Sequence, residues 1–307
     1  MTTAALTLPD VRVDTRSTPP DGPIKIGSDA HKKLMCRMLL DTFNPYKPSV
    51  IDWPKLAPDA LVRLTSLPIW DIAVQTENKA MNNVRIYGER CVKDPLLKQA
   101  IALDAFEEGR HRHVLANLVE AYGIKLAPEP AYRNPRDPEW NFLVTGYSEC
   151  IDSFLAFALF ETAKRSGYFP SELVDTFEPV IQEEGRHILF FKNWVEWHKR
   201  NMPFWRLPWF TAKVAAVWLF LAYERVGFAN DVGNSAQDNN FTMTGASQVG
   251  KDLSIADLLA LALSENDRRL RVYDHRLMRP EFVPTLARIA LWLMGKGKKD
   301  RGDRAAA

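Results

Sequence analysis

An all-α fold is predicted by three features of this sequence. From about residue 67 onward, apolar residues recur at three- and four-residue spacings through long segments, the period of a helix with one buried face. Proline-rich passages separate those segments, first with Pro45, Pro48 and Pro54, then with Pro128, Pro130, Pro135 and Pro138, then with Pro203 and Pro208. No segment shows the two-residue alternation of a half-buried strand.

The chain divides into three parts. Residues 1–66 form an N-terminal arm with a short helix, 67–202 a four-helix bundle, and 203–307 a C-terminal helical extension packed on it. The composition of the first residues suits a loosely docked arm. A short helix covers 29–43, and the prolines behind it impose an extended passage. The first bundle helix runs from near Pro68 to Arg90. A turn at Lys93-Asp94-Pro95 puts Pro95 at a first helical position, and the second helix runs to Tyr122-Gly123, with Gly123 as a fitting cap. The proline-rich stretch 126–139 is the crossover. The third helix starts near Pro138 and ends at Ser166-Gly167, and the fourth opens at Pro170-Ser171 and continues to about Arg200. Beyond it come helices over about 210–228, 254–277 and 284–295, with an Asn- and Gly-rich polar loop at 230–250. The middle one opens on Ser254 and Asp257 at capping-box spacing.

Composition restricts the function classes. With 307 residues the chain can bury a sizeable core, and 46% hydrophobic and 25% charged residues are ordinary for a soluble globular protein. A net charge of +2 makes no global electrostatic case for nucleic acid. Cys36, Cys91 and Cys150 contain no C-x-x-C pair, which excludes a disulfide scaffold and a rubredoxin-type iron site and fits a cytoplasmic location. The N-terminus lacks the basic start and apolar core of a secretory signal. The longest apolar run, 214–223, is about half of what a membrane-spanning helix needs and reads as a buried helix. Trp205, Trp209 and Trp218 lie near it and the C-terminus is basic, yet ordinary core plus a solvated tail is preferred over a peripheral membrane contact.

The chemistry is carried by a repeat. Glu-Glu-Gly-Arg-His occupies 107–111 and again, letter for letter, 183–187. Each copy contains Glu-x-x-His, which on a helix turns a carboxylate and an imidazole to one face. Such a donor set suits first-row divalent metals, iron or manganese, better than calcium or magnesium. Two single glutamates complete the pattern. Residues that face each other in an antiparallel helix pair are equidistant from the connecting turn. The midpoint of Glu77 and Glu108 falls in the turn at 92–95, whereas that of Glu89 and Glu108 falls inside the second helix. Likewise Glu149 pairs with Glu184 about Ser166-Gly167, whereas Glu161 does not. Glu108, His111, Glu149, Glu184 and His187 each sit in an otherwise apolar stripe, where uncompensated carboxylates would be costly and metal ions supply the compensation.

Glu77, Glu108, His111, Glu149, Glu184 and His187 together resemble the ligand set of the ferritin-like di-iron carboxylate superfamily, one Glu from each of two helices and Glu-x-x-His from each of two others. The resemblance covers about residues 67–200. The wider motif, acidic-Glu-x-Arg-His, is similar to that of the bacterial multicomponent monooxygenases. There the acidic residue hydrogen-bonds a ligating His of the partner helix, which implies that role for Glu107 and Glu183, with Arg110 and Arg186 neutralising them. Leu115 stands where ribonucleotide reductase radical subunits commonly carry a tyrosine, and ferritins lack the helices that follow the bundle.

The resemblance implies a dioxygen-activating oxidoreductase with two iron ions, Fe/Fe first and Mn/Fe as the alternative, acting on a small or apolar organic substrate by hydroxylation, N-oxygenation, desaturation or a related oxidation. Electrons must come from a ferredoxin or reductase, since no G-x-G-x-x-G nucleotide fingerprint is present. The competing reading is ferritin- or rubrerythrin-like iron oxidation or peroxide scavenging. A homodimer is admissible. Ser153, one turn after Glu149, occupies the place where oxygenases of this superfamily often carry a proton-handling Thr; a packing serine is the plainer alternative. His113 points away from His111. His198 lies roughly 16 Å along the helix from His187 and belongs to core or boundary. His31 and His275 carry no signal. Tyr147, Trp194 and Trp197 read as core aromatics, and Glu224 as an ion-pair partner or a contact to the site.

Overall fold

A computed structural model describes residues 22–231 and 254–305. The described chain is helical without strands. Its helices are α1 (Asp29–Asp41), α2 (Pro58–Thr65), α3 (Trp70–Cys91), α4 (Pro95–Ala121), α5 (Pro138–Ser166), α6 (Ser171–Asp175), α7 (Glu178–Asn201), α8 (Leu207–Asp231), α9 (Ile255–Leu270) and α10 (Phe282–Ala305). Helices α3, α4, α5 and α7 form the bundle: α3 packs on α4 and α5, and α7 on α5 and α4. Helix α1 lies across α4 and α7, α8 lies against α5, and α9 packs on α5, α7 and α10.

Local sequence chemistry accounts for the ends of the long helices. Asp94 accepts from Leu97 N at 3.0 Å with Pro95 behind it, and Asp137 accepts from Trp140 N at 3.0 Å with Pro138 behind it. Gly167 closes α5 in the left-handed region at φ 61°. Ser254 and Asp257 form the reciprocal capping box.

Four expectations are corrected. The passage before the bundle contains α2, started by Pro58 and burying Ala60 and Leu64. The fourth bundle helix breaks after Asp175 and restarts as α7 at Glu178. Pro179 cannot sit in a continuous helix, because it lacks an N–H and its ring meets the carbonyl of residue 175; it is tolerated in a first turn. Helix α9 stops at Leu270 rather than 277, because Arg279 donates to the carbonyls of Leu270, Tyr273, Asp274 and Leu277 at 2.6–3.0 Å and satisfies the chain as it turns. The last helix runs on to Ala305, since one interior glycine such as Gly295 costs about 1 kcal/mol and need not break a helix.

One core connects all three parts. It holds Met35 and Leu39 of α1, Ile101 and Leu103 of α4, Phe142 of α5, Trp194 of α7 and Val217 of α8, all with almost no accessible surface. Tyr87 stacks on Phe142 at 4.3 Å, Phe142 meets Trp194 edge-on at 4.8 Å, and Trp194 stacks on His198 at 4.9 Å, which places His198 at the core boundary beside Glu139. Helix α5 can approach α7 because Gly146 leaves its place to the ring of Phe191. Helix α5 is also long and apolar enough to cross a membrane, by length and composition only, but it is a central bundle helix carrying Glu149 and Ser153.

His31, which carried no sequence signal, is fully buried. Its Nδ1 accepts from Gly27 N, so Nε2 donates to Asn193 Oδ1 at 2.8 Å; Asn193 also bonds Met278 in both directions. One imidazole thus ties α1 to α7 and to the segment after α9. The expected burial of 214–223 holds for one side only. Val217 and Leu221 are buried, whereas Leu219 is 73% and Tyr223 77% exposed. The loop expected at 230–250 lies largely outside the described residues.

Candidate metal centre

The two Glu-x-x-His motifs face each other across the bundle, on α4 and α7. Glu108, His111, Glu184 and His187 each offer a donor atom, and these atoms lie within 4.8 Å of one another, so the group can hold a metal ion. The two imidazole rings are 5.6 Å apart. Each motif's glutamate lies nearest the other motif's histidine: Glu108 Oε1 is 2.8 Å from His187 Nδ1, and Glu184 Oε1 is 3.2 Å from His111 Nδ1.

The single glutamates close the two open sides. Glu77 of α3 brings Oε2 to 3.6 Å from His111 Nδ1. Glu149 of α5 buries its Oε1 beside Glu108 and Glu184, and burial first, then the charges of Glu108, Asp104 and Glu184, raises its pKa. The rejected alternatives point elsewhere, Glu89 to Arg85 at 2.8 Å and Glu161 to Arg165 at 2.7 Å in outward ion pairs. Ser153 donates to Glu184 Oε2 at 3.1 Å.

The outer residues are crossed between helices. His111 Nε2 meets Glu183 Oε2 at 2.9 Å, and His187 Nε2 meets Glu107 Oε2 at 2.9 Å. Arg186 donates to Glu107 Oε1 at 2.5 Å, and Arg110 donates to Glu183 Oε1. Glu107, Glu183, Arg110 and Arg186 are all buried rather than facing water. Arg110 reaches on to the carbonyls of Asn44 and Tyr46, and Arg186 to that of Leu39. With Nε2 engaged outside, both Nδ1 atoms turn inward.

Electrostatics and unpaired donor atoms make this cluster a candidate cation site. Burial pushes Glu108 and Glu149 well above the usual carboxylate range, with Glu77 and Glu184 adding repulsion at Glu108. Burial also opposes charge on Glu107 and Glu184, but the hydrogen bonds and charge of His187 and Arg186 at Glu107, and of His111 at Glu184, hold both below their ordinary values. Burial lowers His111 and His187 less than the surrounding carboxylates raise them. Asp104 Oδ1, Glu108 Oε1, Glu149 Oε1, His111 Nδ1 and His187 Nδ1 are all buried without a hydrogen-bond partner. Glu108 and His187 are close but misaligned for a hydrogen bond, as converging ligands would be. Buried polar atoms are normally paired, and orphans that share one spot fit a bound cation. Seven carboxyl groups (Glu77, Asp104, Glu107, Glu108, Glu149, Glu183 and Glu184) crowd round two guanidinium and two imidazole groups, an arrangement in which bound divalent ions would favour ionised carboxylates.

A cavity of about 280 Å³ opens beside the cluster. Glu77, Glu108, His111, Glu149 and Glu184 line it, with an apolar wall that includes Trp70, Leu115, Val144, Phe177 and Ile181. His187 does not line it. Glu224 of α8 does, while neighbouring Arg225 pairs with Asp152 at 2.8 Å. His113 is partly buried away from the cluster.

Two residues of the centre were not singled out by sequence reading. Asp104 is buried, with Oδ1 3.8 Å from His187 Nε2; its signal was an aspartate one turn before Glu108 in an apolar stripe. Tyr46 donates its hydroxyl to Glu183 Oε2 at 3.3 Å and lies over Arg110; a tyrosine in a proline-rich passage carries no such signal. No family model, no curated protein and no solved structure matches this chain.

Proposed function

We propose that this protein is a dioxygen-activating, non-haem di-iron oxidoreductase of the ferritin-like kind, acting on a small or apolar organic substrate. The observation that carries this reading is the cluster of Glu108, His111, Glu184 and His187, whose donor atoms lie within 4.8 Å of one another, with Glu108 Oε1, His111 Nδ1 and His187 Nδ1 buried and partnerless. Glu77, Glu108, His111, Glu149, Glu184 and His187 would hold the metal ions, and Glu108 and Glu184 each lie close to the opposite motif's histidine. Bound iron supplies one-electron redox chemistry and a place for dioxygen to be reduced.

The chain's own residues do the rest. Glu107 and Glu183 hold the imidazoles in the tautomer that presents Nδ1 inward, and the two arginines pair with those carboxylates. Ser153 holds a hydroxyl proton against Glu184 at the cavity wall, where it can pass to a reacting oxygen. The apolar wall binds the body of an organic substrate and excludes water. That cavity favours an oxygenase over iron storage or peroxide scavenging.

The test is anaerobic loading with Fe(II), followed by elemental analysis and oxygen uptake with a ferredoxin or reductase as donor. Two irons per chain, with oxygen uptake increased by apolar organic compounds, are expected. Iron accumulating far beyond that ratio would assign storage, and peroxide turnover without an organic compound would assign scavenging.

A further inference from the structure

The outward side of α8 and the first turns of α10 carry an apolar surface left uncovered by the described chain. Phe204 and Trp205, in the 3-10 turn before α8, and Trp209, Leu219 and Tyr223 along α8 are 63–82% exposed. On α10, Leu286, Ile289 and Leu293 are about half exposed. The two helices meet where Trp218 packs on Phe282 at 4.4 Å, so the surfaces adjoin.

The charges of α8 are turned away from this surface. Between Arg206 and Arg225 the helix has two charged residues. Lys213 donates inward to Asp137 at 2.7 Å and Glu139 at 2.8 Å, and Glu224 lines the cavity. A helix facing water sets charged side chains on that side; this one sets tryptophan, leucine, alanine and tyrosine there. The sequence that follows the apolar part of α10 reads Gly-Lys-Gly-Lys-Lys-Asp-Arg, dense in cations. Protein–protein interfaces are depleted in lysine, whereas an apolar, aromatic-bearing helix face beside a cationic run is the pattern of helices that lie in a lipid headgroup region.

We propose that this face seats the protein on an anionic lipid bilayer, with α8 and the start of α10 lying in the plane of the interface and their exposed aromatic and aliphatic side chains among the headgroups and upper acyl chains. The proposal does not depend on the metal centre, and it reverses the expectation that 214–223 is simply buried.

The full-length protein is mixed with sucrose-loaded vesicles of phosphatidylcholine and phosphatidylglycerol, or of phosphatidylcholine alone, and sedimented. The wild type is expected to pellet with the mixed vesicles and more weakly with the neutral ones. Brominated acyl chains are expected to quench part of its tryptophan fluorescence. Trp205→Ser and Trp209→Ser should each lower the partition coefficient by about tenfold, the order for withdrawing one large aromatic from an apolar phase. Both variants should keep the wild-type melting temperature, because the side chains are exposed in the free protein. A wild type that stays in the supernatant with both vesicle types overturns the proposal. So does pelleting without quenching by brominated chains, which would mean adsorption to headgroups alone. So, finally, does a dimer in sedimentation velocity that Trp209→Ser dissociates, which would assign the face to a second copy of the chain.

Discussion

The two copies of Glu-Glu-Gly-Arg-His are identical in sequence and matched in wiring, and they diverge one turn away. In both, the histidine Nε2 takes a carboxylate of the other helix at 2.9 Å, and the arginine of the same motif crosses to the other motif's outer glutamate. One turn upstream, α4 has Asp104 where α7 has Val180. Asp104 is buried beside His187 with an unpaired oxygen, whereas Val180 lines the cavity. His111 also lines the cavity and His187 does not. The motif therefore specifies a candidate ligand and its orienting partner, while the flanking turn decides which half of the centre faces the cavity.

The largest effect should come from the single glutamates. Glu77→Ala and Glu149→Ala are each expected to abolish loading of at least one ion per chain by elemental analysis, whereas Glu89→Ala and Glu161→Ala, which only remove exposed ion pairs, should load like the wild type. A loss confined to Glu161→Ala would break the assigned register. Next, Glu107→Gln and Glu183→Gln should each weaken metal binding by roughly 10- to 100-fold in competition with a chelator. Equal losses would sharpen the equivalence of the two copies, and a large disparity would break it.

Asp104→Asn probes the asymmetry directly. Burial raises the Asp104 carboxyl from its ordinary 3.8 to about 6. A raised carboxyl pKa means the folded state holds the proton more tightly, so stability falls as pH rises from about 4 to about 6 and stays lower above that. In the metal-free protein Asp104→Asn should remove this fall and raise stability at pH 7 by up to about 3 kcal/mol, the free-energy equivalent of raising that carboxyl from 3.8 to about 6. Denaturant melts at two pH values check it, and an unchanged slope with pH would show that Asp104 is satisfied in solution. The smallest effect is expected for Tyr46→Phe. It removes one long, weak hydrogen bond to the Glu183 carboxylate, worth about 0.5 kcal/mol, and should shift metal affinity about twofold.

Features that depend on local sequence were legible. The caps at Asp94, Asp137 and Ser254, the prolines behind the first two, and the turn at Gly167 each act within a few residues, and so do the i, i+3 pairs that face Glu108 with His111 and Glu184 with His187. Features that depend on a distant partner were not. The end of α9 follows from Arg279 reaching back to Leu270, and the burial of His31 from Asn193, far away in sequence. The helix break before α7 was in principle readable from Pro179, which a continuous helical pattern had obscured.

By itself, the amino-acid order determined an all-helical chain and six acid and imidazole groups at matching heights on four helices, because helical period and antiparallel register are arithmetic on residue number. Only the tertiary structure decided that Arg110 and Arg186 cross to the opposite helix, that the cavity opens on the His111 side, and that the described residues leave one flank of α8 uncovered. Those outcomes depend on which surfaces meet in space, and contact between segments far apart in the chain leaves no periodic trace in either of them.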